Sequence, residues 1–268
     1  MAVRVSVGAA EIVALRDGEH PLDRAWHFPG VPAQAWEGQD GRPLNFGGYL
    51  VETDGKVVLV DTGWGPYLGP PGGLARPAAL LEELAEAGYT PAEVDLVVFT
   101  HLHPDHVGWN LVLDPGQDPR PRFPNARYLV PRADWEHYRD LEHKHPNIVQ
   151  QALPLEELGV LRLIEDGHRV TPSLRAVALP GHTPGHTGYA LGDREAFLLG
   201  DLAHHPVVLR ETGWAQRFDF DPEQAVATRE RTLAELEDTG TLVAFGHFPH
   251  PGLGHVIRKE GRRAWLPW

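Results

Sequence analysis

The sequence predicts a mixed α and β fold on three observations: short β-branched apolar runs recur along the chain, amphipathic helical stretches lie between them, and polar residues gather where the runs end. The runs are 57–60, 96–99, 128–130, 177–179, 197–199 and 242–245, each bounded by turn residues and each of a length that reads as a buried strand. Helical spacing appears in Leu80, Leu81 and Leu84 before Gly88, again over 135–141, and in Val226, Leu233 and Leu236. The last of these stretches follows an Asp221-Pro222 start with Glu223 in the first turn. Gly and Pro crowd 28–48 and 63–77, which read as long loops, and long loops inside a folded unit are often binding elements.

With 268 residues and 42% hydrophobic content, the chain can bury a substantial core, and no linker or repeat divides it. It therefore reads as one domain over 1–268, with a loop-rich N-terminal segment at about 17–48. A net charge of -13 opposes a grip on nucleic acid or on an anionic membrane, because both depend on clustered Lys and Arg. With no Cys there is no disulfide, thiolate nucleophile or Cys-held metal, so any metal must be bound by imidazole and carboxylate. Arg4 and Glu11 interrupt the first residues, from Met1 to Leu15, and no apolar stretch approaches the roughly 18 residues of a membrane span. The expectation is a soluble, cytoplasmic protein. The 16 His are the telling excess, since imidazole is the commonest nitrogen ligand for metals.

These His are not scattered. Run 57–60 leads into Asp61; 96–99 into His101, His103, Asp105 and His106; 177–179 into His182; 197–199 into Asp201; and 242–245 into His247. If the strand ends share one edge of a sheet structure, the imidazoles and carboxylates converge there. In the string THLHPDH, His101 and His103 at i, i+2 can face one point, while Pro104 redirects the chain so that Asp105 and His106 face another. That arrangement suits two divalent ions about 3.5–4 Å apart, joined by a carboxylate from a distant strand end such as Asp201 and completed by His182 and His247.

The ordered set of HxHxDH, GHTPGH at 181–186, Gly-Asp at 200–201 and Gly-His at 246–247 resembles the metallo-β-lactamase-fold hydrolase superfamily, over about residues 47–255. The resemblance implies an α+β fold, an αββα four-layer sandwich of two mixed β-sheets flanked by helices. It implies one metal on His101, His103 and His182, a second on Asp105, His106 and His247, and Asp201 bridging them. Asp61 is then a carboxylate that orients the ligands rather than a ligand itself. Two divalent ions are expected, zinc first, with iron, manganese or cobalt as alternatives. The nucleophile is expected to be a hydroxide shared by the two ions, with Asp105 carrying a proton to the leaving group. No GxSxG motif is present, which agrees with attack by water.

Within the superfamily, the missing Cys excludes the zinc β-lactamases that use a Cys ligand, and His103 stands where flavodiiron proteins carry an acid. The part of the chain after Asp201 is too short for the helical substrate domain of glyoxalase II. The nearest resemblance is to the lactonase and methyl-parathion-hydrolase-like branch, in which homodimers are frequent. In acylhomoserine lactonases of this fold, the residue three positions after the bridging Asp is a Tyr that assists the substrate carbonyl; here it is His204. The expected substrate is a small lactone or aryl ester, and His204 is expected to face the pocket and take part in catalysis. The alternatives are a phosphotriester hydrolase on the same site, a mononuclear iron enzyme of the sulfur dioxygenase type, and a metal-binding protein without turnover.

Around this site, at least one of His204 and His205 is expected at the pocket, and His186 is expected in a structural role. Trp26, Phe28, Trp36, Phe46, Trp64 and Trp109 are candidates for an apolar wall over the metals. His137, His143 and His145 lie in a charged stretch and read as solvated.

Overall fold

Side chains alternate across each strand, and this alternation sorts the apolar residues of the chain into three layers. In the computed structural model, which describes residues 2–39, 41–70 and 73–268, Val58, Val60, Val98, Leu198 and Ala244 share one buried cluster. Their strand neighbours Leu59, Val97 and Phe99 fall in a second cluster, and Phe197, Leu199, Val243 and Phe245 in a third. The first cluster lies between two sheets, and the other two lie under helices on the outer faces. This is the αββα sandwich.

The first sheet is built from β1 (Val3–Val7), β2 (Ala10–His20), β3 (Leu44–Thr53), β4 (Lys56–Val60), β5 (Leu96–Val98), β8 (Arg127–Pro131) and β9 (Leu161–Ile164), in that spatial order. A two-stranded excursion, β6 (Leu111–Val112) and β7 (Arg120–Pro121), interrupts it in sequence. The second sheet runs β10 (Leu174–Ala178), β11 (Thr187–Leu191), β12 (Ala196–Leu198), β13 (Leu242–Ala244), β14 (Leu253–Lys259) and β15 (Arg262–Pro267). Short helical turns α1 (Arg24–His27), α4 (Pro154–Glu157) and α5 (Val207–Arg210) accompany three longer helices, α2 (Leu80–Glu86), α3 (Arg132–Asp140) and α6 (Pro222–Leu236). Leu80 and Leu84 of α2 and Trp135 of α3 enter the cluster outside the first sheet, while Leu233 and Leu236 of α6 enter the one outside the second. α6 starts where the sequence predicts: Asp221 is the N-cap, accepting from the N–H of Gln224, and Pro222 occupies the first turn.

Two parallel pairings position the site. β4 runs parallel to β5, and β12 parallel to β13. Parallel neighbours end at the same edge, so Asp61 emerges beside Thr100 and His101, and Asp201 beside His247. The N–H of Asp61 donates to Val98 O at 2.9 Å and that of Gly246 to Gly200 O at 3.1 Å, which fixes these registers.

The structure trims the expected loop-rich segment at 17–48 at both ends and leaves 21–43, apart from Asp40, as loop with two short helical turns, Arg24–His27 and Ala33–Trp36. Residues up to His20 continue β2, and β3 begins at Leu44, pairing with β2 across a register shift between Arg16 and Gly18. The glycines that suggested a loop serve close strand packing: a Cβ on Gly47 would lie 2.1 Å from Leu15 O, and one on Gly48 would lie 2.5 Å from Val60 O. Asp40, Pro71 and Gly72, which fall in the two expected loops, and Met1 lie outside the described residues. The run at 177–179 is the end of a strand that begins at Leu174 and stops at Ala178. Strands β1, β2, β3, β9, β11, β14 and β15 are not among the predicted runs, although β2 carries an apolar run at Ile12 to Leu15 and β3 one at Tyr49 to Val51. Among the described residues, no helix is long and apolar enough to cross a membrane.

Candidate metal centre

The turn after β5 delivers four of the expected residues, and the ends of β10, β12 and β13 deliver the other three. Ligand atoms of His101, His103, His182 and Asp201 lie within 4.8 Å of one another, and so do those of Asp105, His106 and His247. Asp201 sits between the two groups. Its Oδ2 is 2.8 Å from Nε2 of His247, 3.4 Å from Nε2 of both His106 and His182, and 3.7 Å from Nε2 of His101. Asp105 reaches the second group with its Oδ2 3.4 Å from His247 Nε2.

Each of these rings except His103 is held from behind. Nδ1–H of His106 donates to Asp61 Oδ2 at 2.8 Å, and Nδ1–H of His247 donates to Asn45 O at 2.8 Å. Nδ1–H of His182 donates to Asp219 Oδ1 at 3.0 Å, and Nδ1–H of His101 donates to Thr100 Oγ1 at 2.9 Å. Thr100 is itself fixed by Asp61, which accepts from its N–H at 2.8 Å and its hydroxyl at 2.7 Å. These bonds leave the Nε2 lone pairs aimed inward, as metal-binding imidazoles require. His103 is reversed, with its Nδ1 facing His182 Nε2 at 2.9 Å.

Inside the cluster, His101 Nε2, His106 Nε2, His204 Nε2 and Asp201 Oδ1 are buried without a hydrogen-bond partner. Buried polar atoms are normally satisfied, and a convergent set of imidazole nitrogens and carboxylate oxygens with none is the donor set a divalent cation fills. The residues therefore fit a metal centre. Burial and the neighbouring carboxylates pull on these rings in opposite directions. Burial alone disfavours a charged ring, but Asp201, Asp61 and Asp105 outweigh it at His106 and hold its pKa well above the usual value. His182 is lifted in the same way, to about 9, by Asp201 and Asp219 against burial. His101 and His103 go well below the usual value, through burial and neighbouring imidazoles. Burial also opposes ionisation of Asp201, yet the surrounding imidazoles, His247 foremost, hold its carboxyl well below the ordinary range.

His204 faces this centre, with its Nε2 3.1 Å from Asp201 Oδ2. Burial first, and then the nearby imidazoles, outweigh the pull of Asp201 and push its pKa down to about 4. His205 instead packs under the N-terminal segment, its ring 5.0 Å from that of Trp36.

A cavity of about 380 Å³ opens above the cluster, lined by His103, Asp105, His182, Asp201, His204 and His247 at its floor. Of the six aromatic residues expected as its wall, Trp26, Phe46 and Trp64 are there, joined by Phe218. Phe28 and Trp36 instead pack against each other and His205 in the cluster under α6. Trp109 turns into the opposite core, where its Nε1–H donates to Asp17 Oδ1 at 2.7 Å. Trp64 reaches the cavity because its loop crosses the turn after His106 at backbone contact: a Cβ on Gly108 would lie 1.8 Å from Trp64 O. His145, expected in solvent, is half-buried and lines the cavity edge-on to Trp64, with 5.8 Å between ring centroids.

Several buried residues that hold the site were missed in the sequence. Asp134, in the first turn of α3, accepts from Leu102 N at 2.9 Å, Thr183 Oγ1 at 3.0 Å and Gly185 N at 2.6 Å, and so ties the loop of His101 and His103 to that of His182. Asp17 accepts from the N–H groups of Gly65, Ala79 and Leu80 as well as from Trp109. Asp134 left one signal: it follows the run at 128–130 by four residues, extending the strand-end pattern. Asp17, Asp219 and Arg229 left none, because each sits among other charged residues and reads equally well as surface.

Comparison with known proteins places this geometry. The family model of the metallo-beta-lactamase superfamily matches residues 48–247, a span that contains both ligand groups. The chain is 27% identical over 222 residues to an N-acyl homoserine lactonase of Bacillus sp, covering 74% of this chain and 79% of that protein. It is 31% identical over 237 residues to metallo-beta-lactamase domain-containing protein 1 of Xenopus laevis, covering 85% of each. Among solved structures, the hydrolase AbOPH of the beta lactamase superfamily aligns with a TM-score of 0.86 and 26% identity, covering 100% of this chain and 97% of that one. With the fold, the ordered strand-end residues and the family match in agreement, this chain belongs to the metallo-beta-lactamase superfamily.

Proposed function

We propose that this metal-dependent hydrolase cleaves a lactone or aryl ester at a dinuclear centre, with His101, His103 and His182 holding one ion, Asp105, His106 and His247 the other, and Asp201 shared between them. The observation that carries this reading is the position of Asp201 Oδ2, between 2.8 and 3.7 Å from four Nε2 atoms that belong to both groups. Divalent ions bound there, zinc foremost, supply Lewis acidity toward the scissile carbonyl and lower the pKa of a water ligand from about 15.7 to about 7.

The chain's own residues do the rest. Asp61, Asp219, Thr100 and the Asn45 carbonyl fix the tautomers of four ligand rings, so the donor set is organised before substrate arrives. Asp105, at the cavity floor, is placed to hand a proton to the leaving oxygen. His204 faces the same floor and orients the substrate oxygen. Trp26, Phe46, Trp64 and Phe218 exclude water and pack against an apolar group on the substrate. A second reading, N-acyl homoserine lactones, is favoured by the named activity of the Bacillus relative.

Metal analysis of the purified protein, with a rate screen over aryl esters, lactones, N-acyl homoserine lactones and phosphotriesters, tests the proposal. We expect about two divalent ions per chain, because seven ligand side chains exceed one tetrahedral site. Lactones or aryl esters should be the fastest substrates. A single iron with oxygen consumption, or turnover of phosphotriesters alone, would overturn it.

A further inference from the structure

The side chain of Arg229 of α6 is fully buried, and its hydrogen bonds fall on the chain between Asp201 and α6. Its Nε donates to Leu202 O at 2.8 Å, its Nη1 to Thr212 O at 2.8 Å and Trp214 O at 3.1 Å, and its Nη2 to Asp219 Oδ2 at 3.1 Å. The other oxygen of that carboxylate is the one that accepts from His182 Nδ1 at 3.0 Å. One guanidinium thus spans the start, middle and end of segment 202–221, and through Asp219 it reaches a ring of the candidate centre.

The same segment builds the cavity. Gln216 Oε1 accepts from the N–H of His204 at 2.6 Å, and Phe218 forms part of the wall. The segment is closed onto its neighbours by Arg217 N to His27 O at 3.0 Å, Phe220 N to His182 O at 3.1 Å and Asp221 N to Gly181 O at 2.9 Å.

We infer that Asp219, clamped by Arg229, is a positioning residue for His182, and that through this pair metal occupancy and the order of segment 202–221 depend on each other. A buried guanidinium cannot shed its charge, so one carboxylate has to answer both Arg229 and His182, and displacing either partner disturbs the bond to the other. Seating an ion on His182 fixes the ring, the ring fixes Asp219, and the carboxylate completes the fork on Arg229 that holds the segment. By reciprocity, the factor by which a bound ion favours the ordered segment is the factor by which the ordered segment favours the ion.

This inference rests on His182 being a metal ligand, and the test separates the two claims. The full chain, stripped by a chelator, is titrated with cobalt(II), read by its visible absorption, in wild type, Asp219→Asn and Arg229→Lys. Hydrogen exchange of peptides covering 203–220 and of β8 is followed in each form with and without cobalt. Asp219→Asn keeps shape and removes the charge; it should weaken one cobalt by about 10–100-fold and leave the other unchanged. It should also abolish the cobalt-dependent protection of 203–220 while β8 remains as in wild type. Arg229→Lys, which keeps the charge and loses the fork, should give a partial version of both effects. Unchanged cobalt affinity in Asp219→Asn, with only a lower unfolding temperature, would overturn the positioning role. Equal weakening of both ions would overturn it too. Failure of the wild-type chain to take up cobalt would overturn the metal reading together with this one.

Discussion

The backbone N–H of Asp201 donates to Nε2 of His186 at 3.0 Å, and Nδ1–H of His186 donates in turn to Leu179 O at 3.0 Å. The ring is therefore neutral in this tautomer, in keeping with burial and the nearby His182, which push its pKa down to about 3. It sits against Gly200, whose φ of +52 and whose would-be Cβ, 2.9 Å from His186 Nε2, leave room for no side chain. His186→Leu comes close to the volume and removes both bonds, leaving a buried N–H and a buried carbonyl unpaired at about 1–3 kcal/mol each. Urea unfolding should register a loss of about 2–6 kcal/mol, the sum for two groups, and the metal content of the purified variant should fall. Wild-type values for both would show that His186 does not hold the Asp201 turn.

Asp201 itself is the most exacting position. Asp201→Ala leaves the two ligand groups without a shared carboxylate, so the variant should retain one ion per chain and lose nearly all turnover. Metal analysis and initial rates check this together. Activity above about a tenth of wild type, only about 1.4 kcal/mol in barrier, would mean that Asp201 is not shared.

At the mouth of the cavity, the rings of Trp26 and Phe218 meet edge to face at 5.2 Å, yet the residues are 41% and 44% exposed. Large aromatic residues left open beside an apolar cavity are suited to contact substrate. Phe218→Ala should raise KM for an aryl ester about fivefold, the equivalent of about 1 kcal/mol of aromatic packing, with kcat nearly unchanged. A fall in kcat with constant KM would instead place Phe218 in ordering the segment that carries His204.

Far from the centre, Glu83 of α2 takes Arg76 at 2.8 Å and Arg16 at 3.3 Å. Burial works against its ionisation, but the two guanidinium groups outweigh it and hold the carboxyl below its usual range. A depressed folded-state pKa contributes stability that is present above the unfolded value of about 4.3 and lost as pH falls through the folded value. Glu83→Gln should therefore lower the unfolding temperature at neutral pH, with the difference from wild type shrinking steadily below about pH 4. A constant difference across the acid range would show that the loss is one of packing.

The sequence by itself determined the parts of this protein that are local or repetitive. Strand interiors such as Val57 to Val60 are legible because burial on both faces makes consecutive residues apolar, and α6 is legible because Asp221 and Pro222 mark its start. The candidate ligands were legible for a related reason: strands ending at one edge place chemistry directly after apolar runs, so His101, His182, Asp201 and His247 carry their position in their context. Only the tertiary structure decided which residues hold those ligands. Asp134 meets Thr183 across 49 positions, Asp61 meets His106 across 45, and Asn45 meets His247 across 202. A single buried carboxylate leaves no periodicity, so except for Asp61, found by its place in the strand-end set, these partners had no signal beyond a weak one at Asp134. The same holds for Gly47, Gly48 and Gly108. In sequence a glycine reads as a turn, and only the approach of another backbone to within about one atom's width shows that it is a point of contact.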